Sequence, residues 1–274
     1  MIVAIAFVLG LVVGSFLNVC ILRIPAGESI VLPASHCPKC GKPIAPYDNV
    51  PVVSWLVLRG RCRNCKTAIS AMYPVVEFLT GALCAACALA FGPTLAWGKW
   101  AMFSALLLVL AVTDLRERIL PDKVNLTGAA VGLAWSGVVT LRDGTSLWLS
   151  NRLFDFPPPA RVLSVTDALL GAAAGAGVLW IFAEGYFRVR GREGMGLGDV
   201  KMMGMAGTFL GVKAVLLTIM VGALLGSVLG SLFMLFRRTG SDYELPFGLF
   251  LGAGALFTVF YGPPALAWYF ARFS

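Results

Sequence analysis

Of the 274 residues, 58% are hydrophobic and only 13% are charged, with a mean hydropathy of +0.84 and a formal net charge of +8. That balance excludes a soluble globular enzyme and points to a polytopic membrane protein. The basic residues are spread over loops that border apolar runs, without a basic helix or aromatic-interleaved stripe, so anionic lipid headgroups explain the charge and nucleic acid does not.

A helix needs about 20 apolar residues to cross the hydrocarbon core. Eight stretches are candidates, at about 2–22, 73–91, 97–113, 124–141, 164–187, 200–212, 214–236 and 246–270, the sixth being short. The expected fold is therefore all-α and integral to the membrane. The first span has no basic flank before it and no small-residue cleavage site after it, and reads as a retained helix rather than a signal peptide. We divide the chain into that helix (1–22), an inserted extramembrane domain (23–72) and a polytopic remainder (73–274).

The inserted domain carries prolines at 25, 33, 38, 43, 46 and 51 and four cysteines in a polar setting. A unit of about 50 residues buries too little apolar surface to fold unaided and commonly needs a staple. Cys37-Pro38-Lys39-Cys40 and Cys62-Arg63-Asn64-Cys65 form two CxxC knuckles separated by 21 residues, a pattern suited to tetrahedral zinc. Disulfides are the competing use, disfavoured on a cytoplasmic face. Four protein ligands leave no open position, so such a zinc is structural. Lys39, Lys42, Arg61, Arg63 and Lys66 would offset its negative charge. His36 reads as a solvent-facing loop residue, and Cys20, Cys84 and Cys87 as helix-packing residues inside spans.

Asp114 closes the apolar run 101–113, and Asp199 lies in Gly194-Met195-Gly196-Leu197-Gly198-Asp199, where glycines allow close backbone approach. An ionisable residue at a membrane edge is a functional hypothesis. For Asp199 the bland reading is a helix-end charge paired with Lys201. Asp122 is the nearest rival to Asp114, although Pro121 suits a first helical turn and makes Asp122 a plausible N-cap. Glu77, Asp167 and Glu184 are expected to meet polar partners near helix ends. The stretch 142–163, with Pro157-Pro158-Pro159, reads as a connector.

Sixteen of the 22 basic residues fall in 23–72, 115–123, 188–201 and 237–245, while Lys99, Arg142, Arg152, Arg161, Lys213 and Arg272 fall on the other side. The positive-inside rule then puts both aspartates and the cysteine domain in the cytoplasm and both termini outside. Two nearby carboxylates cannot both ionise cheaply, so one holds a proton while the other accepts one from water. Residue types alone leave open an aspartic protease, a proton-coupled transporter or channel, and a zinc-dependent scaffold. No inverted repeat of the transporter kind is visible.

In order along the chain, Gly14-Ser15-Phe16-Leu17-Asn18-Val19 with Arg23 and Pro25, both knuckles, Ser54-Trp55-Leu56, Tyr73-Pro74 with Glu77, Asp114 seven residues before Pro121, Gly196-Leu197-Gly198-Asp199-Val200-Lys201 and Leu245-Pro246-Phe247-Gly248 resemble the bacterial type IV prepilin peptidases. The Gly-x-Gly-Asp segment is shared with broader intramembrane proteases such as signal-peptide peptidases, which the cysteine domain argues against. The resemblance implies an inner-membrane aspartic endopeptidase with Asp114 and Asp199 catalytic and Cys37, Cys40, Cys62 and Cys65 on zinc. It further implies prepilin or pseudopilin substrates cut at the cytoplasmic face, as in type IV pilus and type II secretion systems. Methylation of the new amino terminus by S-adenosylmethionine would follow, assigned to 23–72 and its adjoining helices.

Overall fold

The computed structural model describes residues 1–141, 143–153, 158–192, 194–237 and 246–273. Among them there is no β-strand beyond two isolated bridges. The helices are α1 (Ile2–Arg23), α2 (Val53–Val57), α3 (Met72–Phe91), α4 (Leu95–Glu117), α5 (Asp122–Val138), α6 (Thr145–Leu153), α7 (Ala160–Arg190), α8 (Leu197–Leu210), α9 (Val212–Arg237) and α10 (Phe247–Phe273), with a 3-10 turn at Pro46–Asp48. Six of them, α1, α3, α4, α7, α9 and α10, are long and apolar enough to cross a membrane. The chain forms two compact units, Met1–Val109 and Leu110–Ser274, and the division falls within α4.

In the first unit α1 packs on α3 through small residues. Gly10 and Gly14 lie one turn apart on α1. A Cβ on Gly10 would stand 2.7 Å from the Gly81 Cα, and one on Gly14 would stand 2.7 Å from the Glu77 Cα. Only hydrogen fits there, which is how membrane helices gain close backbone contact without a hydrophobic driving force. Cys87 is fully buried, with its thiol 3.9 Å from the Ser104 hydroxyl, and the Cys84 carbonyl accepts the Trp97 ring N–H, so both act as packing residues. Lys99, counted with the basic residues of the opposite side, is 1% exposed and stands over the Trp100 ring, 4.5 Å from its centroid.

In the second unit α8 is the inner helix, packed by α5, α7, α9 and α10. Its residues from Met202 to Leu210 are buried apart from Gly204. At 14 residues it rises about 21 Å, less than a bilayer core, and protein rather than lipid surrounds it. Gly171 and Gly175 on α7 meet Gly207 and Met203 on α8 backbone to backbone. α7 runs 31 residues, begins four residues before the expected span, and stops at Gly191, whose left-handed φ of +65° closes the helix with Arg188 and Arg190 in its last turn.

Two local expectations are corrected. Within the expected connector 142–163, Thr145–Leu153 form α6. A buried Asp167 carboxylate accepts the Ser146 amide at 2.7 Å, satisfying a first-turn donor across 21 residues of sequence that no local pattern announces. Pro121, not Asp122, is the N-cap of α5, so Asp122 is the first helical residue and makes no side-chain cap. Glu184 bonds Arg188 one turn on at 2.7 Å, as expected of an acid near a helix end.

Candidate active site and metal centre

Asp114 lies in the last turn of α4 and is 6% exposed. Its Oδ2 accepts the backbone N–H of Leu249 at 3.1 Å, from the first turn of α10, where helical amides have no partner of their own. Gly248 lets this approach happen: a Cβ there would stand 3.0 Å from Asp114 Oδ2. The Pro246-Phe247-Gly248 motif therefore starts α10 against the acid, while Leu245 lies outside the described residues.

Asp199 occupies the first turn of α8, two residues after Leu197, with Gly196 as the N-cap. It is 8% exposed, and its Oδ1 is buried without a hydrogen-bond partner. Asp114 is near enough for its charge to act on Asp199. The bend that joins these surroundings is Arg118 to Pro121, entered by the left-handed Arg118 at φ +55°. A Cβ on Gly198 would stand 2.9 Å from the Leu120 Cβ, and one on Gly248 would stand 3.1 Å from the Leu120 Cδ1. Leu120 is thus wedged between the starts of α8 and α10, and two glycines make the room.

The bland partners expected for this region are otherwise engaged. Lys201 Nζ lies 2.7 and 2.8 Å from the Asp122 carboxylate oxygens and is not the partner of Asp199. Asp122 is exposed and neutralised by that contact, which separates it from Asp114. Sequence reasoning missed Asn125, 1% exposed on α5 with neither amide atom bonded, and Leu120, whose role depends on three elements meeting.

In the first unit the Cys37, Cys40, Cys62 and Cys65 sulfurs all lie within 4.8 Å of one another, and none is in a disulfide. Cys37 and Cys65 are 3.7 Å apart. Zinc–sulfur bonds of about 2.3 Å in a tetrahedron put sulfurs about 3.8 Å apart, so the cluster fits a four-thiolate metal site. The knuckles repeat one another. Cys37 donates to the Lys42 carbonyl and Gly41 to Cys37, just as Cys62 donates to Thr67 and Lys66 to Cys62. Left-handed residues sit at matching places, Gly41 at φ +69° and Lys66 at φ +57°. Hydrogen bonds from the Thr67 side chain and backbone pull the Cys65 thiol down to about 6, and the Cys40 and Lys39 backbone lowers Cys37, while at Cys40 the lowering by the Lys42 backbone is outweighed by burial and by the neighbouring Cys37 and Cys65, which push it up to about 11.

Arg63, expected to balance the sulfurs, instead grips Asp48 at 2.6 Å and lies over Tyr47, and the guanidinium holds the Asp48 carboxyl below its usual range. His36 is exposed and takes no place among the sulfurs.

Residues 8–91 match the Bacterial Peptidase A24 N-terminal domain, and residues 101–231 match the Type IV leader peptidase family. The chain is 32% identical over 296 residues to the prepilin leader peptidase/N-methyltransferase of Aeromonas hydrophila, covering 98% of this chain and 94% of the relative. The corresponding proteins of Burkholderia pseudomallei strain 1026b and Pseudomonas aeruginosa strain PAO1 are each 34% identical, with 95% and 93% of this chain covered and 86% and 88% of theirs. This chain belongs to the type IV leader peptidase family. No solved structure matches it. Within this family member, the two acids fall in the part matched by the peptidase family and the cysteine cluster in the part matched by the N-terminal domain.

Proposed function

We propose that this chain is a membrane aspartic endopeptidase that removes the leader of type IV prepilins or pseudopilins at the cytoplasmic face, then methylates the new amino terminus with S-adenosylmethionine. The observation that carries the peptidase half is the pairing of two buried acids, Asp114 and Asp199, in one unit of a leader peptidase family member. Asp114, with an amide donor on one oxygen, is assigned the carboxylate; Asp199, with an unpartnered buried oxygen, is assigned the protonated acid.

Asp114 takes a proton from water as the water oxygen attacks the scissile carbonyl, and Asp199 donates its proton to the carbonyl oxygen. The tetrahedral adduct then collapses: its C–N bond breaks, Asp114 returns a proton to the departing nitrogen, and Asp199 recovers one from the hydroxyl. Both acids regain their starting states. A prepilin leader is expected to remain at the cytoplasmic interface, and an acid at the end of α4 would meet the bond there.

Cys37, Cys40, Cys62 and Cys65 would hold a zinc ion that cross-links the two knuckles of the 23–72 domain and supplies no reactive position. We assign methylation to this domain and its adjoining helices. The 16 basic residues of the loops named above support a cytoplasmic placement of the acids and the cysteines.

The test is cleavage of a model prepilin by the purified chain in detergent, with mass spectrometry of the product's amino terminus. Unaltered protein should cleave, and Asp114→Asn and Asp199→Asn should each lose about 10³-fold or more in rate. Normal cleavage by either variant would remove that residue from the mechanism. A methyl mass added only with S-adenosylmethionine present would establish the second activity.

A further inference from the structure

The first unit contains a buried acid for which the peptidase chemistry has no use. Glu77 on α3 is 8% exposed, and its Oε2 accepts the backbone N–H of Val52 at 2.7 Å. The Ser15 hydroxyl of α1 also bonds to it. These two donors satisfy only part of a carboxylate, which has about four acceptor positions. No salt bridge reaches Glu77 among the described residues, and the buried cation of this unit, Lys99, is over the Trp100 ring.

Beside it on the same face of α1, Asn18 is 2% exposed. Its amide nitrogen donates to the Tyr73 carbonyl at 3.0 Å, one turn before Glu77, while its Oδ1 is buried and accepts nothing. Ser15 and Asn18 are three residues apart, and Gly14 brings this face of α1 onto the Glu77 backbone. The site thus sets a carboxyl group with spare acceptor capacity near an orphaned amide oxygen, and buried polar groups are otherwise hydrogen-bonded.

The backbone that lends Glu77 its amide is itself strained. Val52 stands at φ +62°, ψ −50°, a conformation in which a β-branched residue is an outlier. Strain of this kind persists where the surroundings over-determine it, commonly at ligand sites.

We propose that Glu77 and Asn18, with Ser15 and the Val52 amide orienting the carboxylate, form a binding site for a primary α-ammonium group. Its three N–H donors and single positive charge answer the unpartnered acceptors, whereas a neutral or anionic group does not. This rests on the function proposed above, which supplies two carriers of such a group: the amino terminus freed by leader cleavage, and the amino-acid end of S-adenosylmethionine.

The experiment measures equilibrium binding to the full chain in detergent. The probes are a peptide with the mature prepilin amino terminus, the same peptide N-acetylated, S-adenosylmethionine, and its analogue lacking the amino group. The unaltered chain should bind the free amine at least tenfold more tightly than the blocked form for one carrier, which identifies the source. Glu77→Gln should lose that discrimination, Asn18→Leu should weaken it, and Glu77→Asp should restore part of it. Elution as a single species with unaltered metal content reports that each variant is folded. Equal binding of amine and blocked forms by the unaltered chain, no binding of either carrier, or discrimination kept in Glu77→Gln would overturn the proposal. Cleavage by the unaltered chain, measured alongside, judges the peptidase reading separately, because the binding arms need no turnover.

Discussion

The Asp114 carboxylate is bonded to the Leu249 amide, so an acid at the end of α4 satisfies the first turn of a helix 135 residues away in sequence. This contact ties the acid's position to the start of α10, and Gly248 sets how closely the two can meet. Gly248→Ala should therefore separate stability from activity. Alanine favours helix over glycine by up to about 1 kcal/mol, but its Cβ would press on Asp114 Oδ2 at 3.0 Å and on Leu120 at 3.1 Å. We expect an unchanged or raised melting temperature in detergent and a loss of roughly tenfold in cleavage, since displacement of a reacting group by about 1 Å can remove two orders of magnitude. Full activity in a stable Gly248→Ala protein would refute this role.

Asp122 should be dispensable. It is exposed, and its contact with Lys201 is a surface ion pair of a kind worth roughly 0–1 kcal/mol. Asp122→Asn is expected to cleave within about threefold of the unaltered rate, a tolerance that would be incompatible with a reacting carboxylate. A loss as deep as that of Asp114→Asn, measured on the same model prepilin, would reverse the choice between these two acids.

Much of this site was legible in the sequence, because acids ending apolar runs, glycines before an aspartate and paired CxxC knuckles each carry their chemistry in a short window. What was not legible depends on distant partners. The bland alternative that pairs Lys201 with Asp199 rests on proximity in sequence, yet α5 and α8 pack side by side and bring Asp122 to the lysine. α6 was missed because its capping donor is satisfied by Asp167 on another helix, and Leu120 is an ordinary leucine until Gly198 and Gly248 close around it. The short apolar run of α8 was hard to read as a span because its environment is protein, which relaxes the length that lipid would impose.

The cysteine cluster makes a prediction on metal content. Purified protein should carry close to one zinc per chain by elemental analysis, and Cys62→Ser should lose most of it, because three remaining thiolates leave a tetrahedral site one ligand short. If the 23–72 segment folds around that cross-link as proposed, the same variant should become more susceptible to proteolysis within it. Metal-free protein with an intact, protease-resistant domain would exclude the structural zinc.

Two glycines on facing helices of the second unit should respond in opposite directions. Gly207 on α8 lies against the Gly171 backbone of α7, where no flexible side chain can yield, so Gly207→Ala must force the helices apart. Overpacking of this kind costs about 1–3 kcal/mol, and because α8 carries Asp199 in its first turn, the displacement should reach the proposed active site as well. Gly177, also on α7, has open space where a Cβ would be, so Gly177→Ala adds only helix propensity, worth up to about 1 kcal/mol in favour of the fold. Thermal unfolding in detergent should show a lower melting temperature for Gly207→Ala and an unchanged or higher one for Gly177→Ala, with cleavage reduced only in the former. Equal behaviour of the two would mean that the approach of α7 to α8 is looser than their backbone contact requires, and that α8 is held in place by its other neighbours.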